Sequence, residues 1–199
     1  MNTRSGLGKL FCALAAAALL AACSPTEEEL SLITAELALS AGDTVADVGA
    51  GEGALVPHLS AAVGDSGTVL ATEIDPDAIE ALNALITSSD LNNVTVVRSD
   101  TASTGLAPEC CDAIVLRRVY HHLSDPDGFL EDLSPALADD GTLLIVEFRP
   151  AAHGHGVEPE QLIADLSRHG FVAVRTFDEW PNSTSFVLDH FAVTFRRAE

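Results

Sequence analysis

An α/β fold with a largely parallel sheet covered on both faces is the architecture this sequence predicts, and two patterns predict it. Short β-branched runs alternate with segments of helical periodicity through most of the chain. Such alternation needs crossover helices packed on both sides of parallel strands. The last two strand-like runs, Phe171 to Phe177 and Phe186 to Arg196, break that rhythm. Only a loop containing Trp180-Pro181-Asn182-Ser183 joins them, so this final pair must be antiparallel.

The elements follow in order. Thr26 with Glu29 three residues on reads as a capping box, opening a helix whose apolar positions are Leu30, Ile33 and Leu37. Gly42-Asp43 ends it. Strand one begins at Thr44, and a helix after it runs to about Val63, stopped by Gly64-Asp65-Ser66-Gly67. Strand two is Thr68 to Thr72. Asp75-Pro76 then supplies an N-cap and a proline at the first helical position for a helix to about Ser88. Strand three is Val94 to Arg98, and an irregular stretch, Thr101 to Cys111, leads to strand four, Asp112 to Leu116. Asp125-Pro126 starts a helix expected to end near Asp139-Asp140-Gly141. Strand five is Thr142 to Phe148, and Pro159 begins a last helix closing at Gly170. No internal repeat or second domain is evident.

The most specific signal lies at Thr44 to Gly53, Thr-Val-Ala-Asp-Val-Gly-Ala-Gly-Glu-Gly. A strand carries Asp47 two positions before a glycine, glycines fall at 49, 51 and 53, and Ala-Leu-Val-Pro-His-Leu opens a helix. Alternate glycines let the backbone turn tightly and approach a ligand with no Cβ in the way. A strand feeding such a turn and a helix N-terminus is how α/β sheets hold nucleotide-like cofactors. Glu73 closes strand two, where a carboxylate suits the two hydroxyls of a ribose. These residues imply a nucleoside-bearing cofactor. Gly49, Gly51 and Ala54 also satisfy the dinucleotide pattern, so the glycines alone leave the cofactor open.

Three features select between cofactors. Asp47 puts a carboxylate in a D-x-G-x-G-x-G frame, beside a cationic ligand rather than a pyrophosphate. Strand three ends in Ser99-Asp100, where an adenine amino group would meet an acid. Strand four runs into Arg-Arg-Val-Tyr-His-His-Leu-Ser-Asp-Pro. This succession, over roughly residues 43–196, resembles the class I S-adenosylmethionine-dependent methyltransferases, especially the small-molecule branch that includes the quinone-biosynthesis enzymes. The resemblance implies a Rossmann-like, doubly wound seven-stranded sheet of order 3-2-1-4-5-7-6 with strand seven antiparallel. It implies Asp47, Gly49, Gly51 and Gly53 for the methionine part of S-adenosyl-L-methionine, Glu73 for the ribose, and Asp100 with Thr101 for the adenine. Asp47 as a turn cap, Gly53 as a packing glycine and Asp100 as a loop acid are the plainer accounts.

Strand four ends toward the same crevice, so Arg117 to His122 are expected to line it. Methyl transfer needs alignment, exclusion of water and sometimes a base. His121, His122 or the Tyr120 hydroxyl are the candidate bases. Arg117 is a candidate for the cofactor site; with Arg118 it either holds an anion or pairs with local acids. No motif of the amino-directed or cytosine-directed nucleic-acid methyltransferases is present. His153 and His155 sit in a glycine-rich loop without a carboxylate at ligand spacing, so no metal site is expected. The loop from His155 to Glu160 instead resembles the substrate-side loop of these enzymes.

Residues 1–22 read as a leader rather than fold. Arg4 and Lys9 precede an apolar run, Leu10 to Ala22, too short for a bilayer of about 30 Å. Leu20-Ala21-Ala22-Cys23 resembles the lipobox of bacterial lipoproteins, which implies lipidation of Cys23. An ordinary secretory peptide or buried helix is the other account. Ser24 lacks the acid of an inner-membrane retention signal, favouring an outer-membrane anchor. The expected organisation is a removed signal peptide at 1–22, an anchor and helix at 23–42, and the catalytic domain at 43–199.

The full chain has 10 Lys+Arg and 30 Asp+Glu. Arg4 and Lys9 leave with the leader, so residues 23–199 carry 8 arginines and a formal charge of 8 − 30 = −22. Such a surface repels nucleic acid and anionic lipid. A small-molecule acceptor is expected, with membrane contact through the lipid alone. Cys110 and Cys111 are expected as two small residues at a strand entrance rather than a disulfide. Export sits uneasily with a cofactor made inside cells, which keeps a catalytically inactive nucleoside- or lipid-binding lipoprotein as the alternative, with a nicotinamide oxidoreductase third.

Overall fold

The computed structural model describes residues 24–150, 155–181 and 189–198. The leader, Cys23 and His153 lie outside the described residues, as does the part of the last predicted strand before Asp189. Seven strands form one sheet: β1 (Thr44–Val48), β2 (Thr68–Glu73), β3 (Val94–Arg98), β4 (Cys111–Arg117), β5 (Leu137–Phe148), β6 (Phe171–Phe177) and β7 (His190–Arg197). Their order is β3-β2-β1-β4-β5-β7-β6. The first five pair in parallel, while β7 runs antiparallel to both β5 and β6.

Helices α1 (Glu27–Glu36), α2 (Val56–Val63), α3 (Pro76–Ser88), α4 (Pro126–Leu133) and α5 (Pro159–Arg168) cover both faces. Side-chain alternation along each strand decides what each face receives. Val45, Ala113, Val115, Leu144 and Val146 pack with Ile33 and Leu37 of α1 and Leu59 and Val63 of α2. Ala46, Val48, Ile114, Leu116, Leu143 and Ile145 meet Phe129, Leu130 and Leu133 of α4 and Leu162 and Leu166 of α5. Burial on both faces is why the central strands read as continuous apolar runs.

Four local expectations change. The helix begun at Asp125-Pro126 stops at Leu133, followed by a 3-10 turn, Ser134–Ala136. Asp139-Asp140-Gly141 belongs to β5, which starts at Leu137; Pro135 cannot sit in a continuing helix. The structure joins Cys110 and Cys111 in a disulfide, where two separate small residues were expected. Only half of the capping box forms. Thr26 Oγ1 accepts the Glu29 N–H at 3.1 Å, but the Glu29 carboxylate is fully buried and turned to the sheet. There it takes two hydrogen bonds from Arg117, Nε to Oε1 at 2.8 Å and a terminal nitrogen to Oε2 at 3.0 Å, with Trp180 Nε1 at 3.3 Å.

That ion pair follows from alternation. Arg117 continues the Ala113-Val115 row, so its guanidinium emerges beneath α1. Among the described residues no helix is long and apolar enough to cross a membrane. Removing one partner of a buried pair strands the other charge. Glu29→Gln is therefore expected to cost about 3–5 kcal/mol, measured by urea unfolding. The double variant Glu29→Leu, Arg117→Met is expected to recover most of it; a single variant within error of wild type would contradict the pairing.

Candidate active site

Chain order reverses between β1 and β4, and the loops at the carboxyl ends of these strands build a crevice. The glycine turn forms its base. Gly49 and Ala50 donate their N–H groups to the carbonyl of Thr72 at 3.1 and 2.9 Å, bending the chain sharply off β1. Gly49, Gly51 and Gly53 all have positive φ, 73°, 57° and 90°. They serve different ends. A Cβ on Gly49 would lie 2.6 Å from Val119 Cγ2, so this glycine lets the loop after β4 close on β1. A Cβ on Gly53 would lie 2.7 Å from both Leu82 and Leu85, so this one lets α3 pack. A Cβ on Gly51 would meet nothing within 4 Å among the described residues.

Glu73 braces that turn. Its Oε2 accepts the Gly51 N–H at 2.7 Å, while Oε1 accepts those of Ile74 and Asp75 at 2.7 and 2.9 Å. An ionised carboxylate has about four acceptor positions. Three are used here, so one on Oε2 remains. The N-cap role expected of Asp75 holds: it accepts the Asp77 N–H at 2.9 Å.

Asp47 is the buried carboxyl group under the turn. Its Oδ2 is fully buried with no hydrogen-bond partner among the described residues. Burial raises its pKa from 3.8 to about 7, against a lowering by Arg117 and with a further rise from Glu73. Arg117 thus stands between two acids, paired to Glu29 and facing Asp47 electrostatically. The expectation that Arg117 holds cofactor directly is corrected: its guanidinium is spent on Glu29.

The crevice, with an empty volume of about 570 Å³ including its open mouth, is lined among others by Gly49, Ile74, Asp100, Thr101, Val119 and His122. Asp47 and Glu73 directly adjoin lining residues in the chain without lining the crevice themselves, and Gly51 and Gly53, further along the turn, do not line it either. Asp100 forms a turn, accepting the Ala102 N–H at 2.8 Å while its own N–H goes to the Ser103 carbonyl. Asp132 of α4 fixes this loop, accepting from Ser103 Oγ, Thr104 Oγ1 and the Thr104 N–H at 3.0, 2.7 and 2.7 Å. Ile74, 46% exposed, offers an apolar wall.

The loop after β4 separates its candidates. Arg118 takes a left-handed φ of 61°, with its N–H bonded to the Val146 carbonyl. Tyr120 opens a 3-10 turn, Tyr120–His122. Its buried hydroxyl donates to Asp165 Oδ2 at 2.8 Å, and burial followed by that bond pushes its pKa up. Tyr120 is thereby corrected from candidate base to a tie between this turn and α5. His122 reaches the crevice wall, and desolvation, then His121, lower its pKa. His121 turns instead to Glu147, Nδ1 to Oε2 at 2.8 Å. Among the described residues there is no group of three or more metal-ligating side chains.

The geometry defines a crevice at the point of chain reversal in a seven-stranded sheet whose seventh strand is antiparallel. The family model described as "Methyltransferase domain" matches residues 46–145, half of the chain, and the chain belongs to that family. A ubiquinone/menaquinone biosynthesis C-methyltransferase of Teredinibacter turnerae is 27% identical over 108 residues, 54% of this chain and 43% of that protein. A Shewanella sp. protein of the same name is 26% identical over 113 residues, covering 56% and 45%. The chain thus spans less than half the length of these curated relatives. Among solved structures, a SAM-dependent methyltransferase from Aquifex aeolicus aligns with a TM-score of 0.72 and 26% identity, over 84% of this chain and 88% of that one. A TehB-like SAM-dependent methyltransferase from Corynebacterium glutamicum shares the fold, with a TM-score of 0.69 and 22% identity over 96% and 98%.

Sequence reasoning missed Ile74, Asp132 and Glu147. Ile74 had a signal, an apolar residue directly after the ribose-side acid; the other two are joined to the site only by folding. The glycines give a stability test. Gly49→Ala combines left-handed strain with the Val119 clash, and is expected to cost roughly 3 kcal/mol. Gly51→Ala meets open space and should lose only about 1–2 kcal/mol. Equal losses in thermal and urea unfolding would contradict the turn described.

Proposed function

We propose that this protein is an S-adenosyl-L-methionine-dependent methyltransferase acting on a small molecule, anchored to a bacterial membrane by lipid on Cys23. The unpartnered carboxylate oxygen of Asp47 carries the cofactor reading. A buried acceptor without a donor is costly, and beside a glycine turn it fits a ligand bearing an ammonium and a sulfonium. A pyrophosphate there would meet two acids, Asp47 and Glu73. The remaining acceptor position of Glu73 suits a ribose hydroxyl, the space over Gly51 suits close backbone approach, and Ile74, Asp100 and Thr101 suit an adenine. The cofactor supplies a methyl group already activated by positive sulfur. The chain supplies alignment, a water-poor crevice and a base among His121 and His122. The curated relatives' names and the charge of −22 on residues 23–199 both favour a small-molecule acceptor over nucleic acid.

Calorimetry with S-adenosylmethionine, S-adenosylhomocysteine and NAD tests the cofactor. Binding of NAD alone would overturn the proposal. A cationic ligand selects ionised Asp47, so affinity for S-adenosylmethionine should rise with pH and level off above about 7, up to about tenfold per unit below that. Asp47→Asn should bind more weakly and flatten this dependence; an unchanged pH profile would remove Asp47 from the site. The sign for the unliganded fold is opposite. The folded state keeps a proton that the unfolded state releases, so stability falls as pH rises from about 4 to about 7. Release of S-adenosylhomocysteine across lipophilic and phenolic acceptors identifies the substrate. For the anchor, Cys23→Ser is expected to move the protein to the soluble fraction; a variant still sedimenting with membranes would count against lipidation.

A further inference from the structure

Glu147 and His121 form a pair that the sequence separates by a helix and most of a strand. Glu147 continues the inward row Leu143-Ile145 of β5 and is fully buried near the strand's carboxyl end. It grips one residue twice. Oε2 lies 2.8 Å from His121 Nδ1, and Oε1 accepts the His121 backbone N–H at 3.3 Å. The ring is held on two further sides, by His122 at a centroid distance of 3.9 Å and Phe148 at 4.6 Å. The imidazole has one nitrogen left: Nε2 has no hydrogen-bond partner among the described residues. The side chain keeps 6% of its surface exposed.

An ionised carboxylate can only accept, so the proton between the groups belongs to Nδ1 and the lone pair of a neutral ring falls on Nε2. A buried acid that selects the tautomer of a catalytic imidazole is a known device in acyl transfer on unrelated folds. His122 differs. It lines the cofactor crevice, and among the described residues no carboxylate is hydrogen-bonded to its ring, whereas the His121 ring turns to Glu147 of β5.

We propose that Glu147 is a positioning residue that holds His121 as the Nδ1–H tautomer, making Nε2 of His121 the base that deprotonates the methyl acceptor. The assignment rests on the methyltransferase reading above. The acceptor's O–H or acidic C–H gives its proton to Nε2. The electron pair left on that atom forms the bond to the methyl carbon, and the carbon–sulfur pair departs with sulfur. The imidazolium so formed faces the Glu147 carboxylate, which stabilises it. General-base help of this kind is worth about 10²–10⁴-fold in rate.

The test uses the full chain without cofactor. Two-bond ¹H–¹⁵N correlation spectra at about pH 8, above the ordinary histidine value, read the tautomer of each imidazole, and His121→Asn assigns the signal. Wild type is expected to show Nδ1 protonated and Nε2 bare, a preference lost in Glu147→Ala; a wild-type His121 protonated on Nε2 overturns the proposal. If Glu147→Ala does not fold, the wild-type spectrum still decides. Diethyl pyrocarbonate, which acylates a bare imidazole nitrogen, is expected to modify His121 in peptide maps. A His121 that stays unmodified while His122 reacts overturns its role as base. Calorimetry with S-adenosylmethionine on the same samples separates the two readings: wild type that fails to bind sinks the cofactor assignment and leaves the tautomer result to stand or fall alone.

Discussion

The carboxylate of Glu73 is the point on which the candidate site is built, because it accepts backbone N–H groups from two loops at once. One comes from Gly51 in the turn after β1, and two come from the turn after β2. Without that acceptor, the left-handed glycine turn after β1 and the turn after β2 would have unsatisfied donors and no fixed relation to each other. Glu73 thus joins neighbouring parallel strands beyond the end of their ladder. The glycines make the turn sterically permissible, and the acid makes it a single conformation.

Beneath this turn lies a chain of charge that reaches the N-terminal helix. Glu29 neutralises Arg117, and Arg117 acts on Asp47, whose carboxyl burial would otherwise push higher still. Helix α1 is therefore more than a cover for one face of the sheet, since its Glu29 holds the arginine that acts on Asp47. On the other face Asp165 takes the Tyr120 hydroxyl and Glu147 takes His121, so the loop after β4 is pinned to α5 and β5. The site is held from three sides by buried acids, a use of acidic residues distinct from the solvated negative surface.

The order and type of elements were legible because each carries a local signal. Pro76, Pro126 and Pro159 occupy first turns of helices, and Asp75 and Asp125 cap as their positions suggest. The boundary of α4 was not legible, since Pro135 and the early start of β5 compete with a periodic pattern that continues past Leu133. The crevice was legible in outline through Gly49, Asp100, Thr101 and His122. Arg117 and Tyr120 were misread for one reason: a residue's loop was predicted, but the partner that claims its side chain lay far away in sequence, 88 residues for Arg117 and 45 for Tyr120.

What the chain alone determined was the backbone path. Alternation of strand and helix signals, the helixless link before β7 and the glycine frame after β1 are short-range facts of propensity and sterics, and they lead to one topology. Tertiary structure decided the assignment of polar groups. Which of Gly49, Gly51 and Gly53 faces open space, which histidine has a carboxylate, and whether Glu29 caps its helix or neutralises an arginine depend on neighbours brought in by distant strands. A buried charge must find a partner or shift its ionisation, and that choice exists only once the core has closed around it.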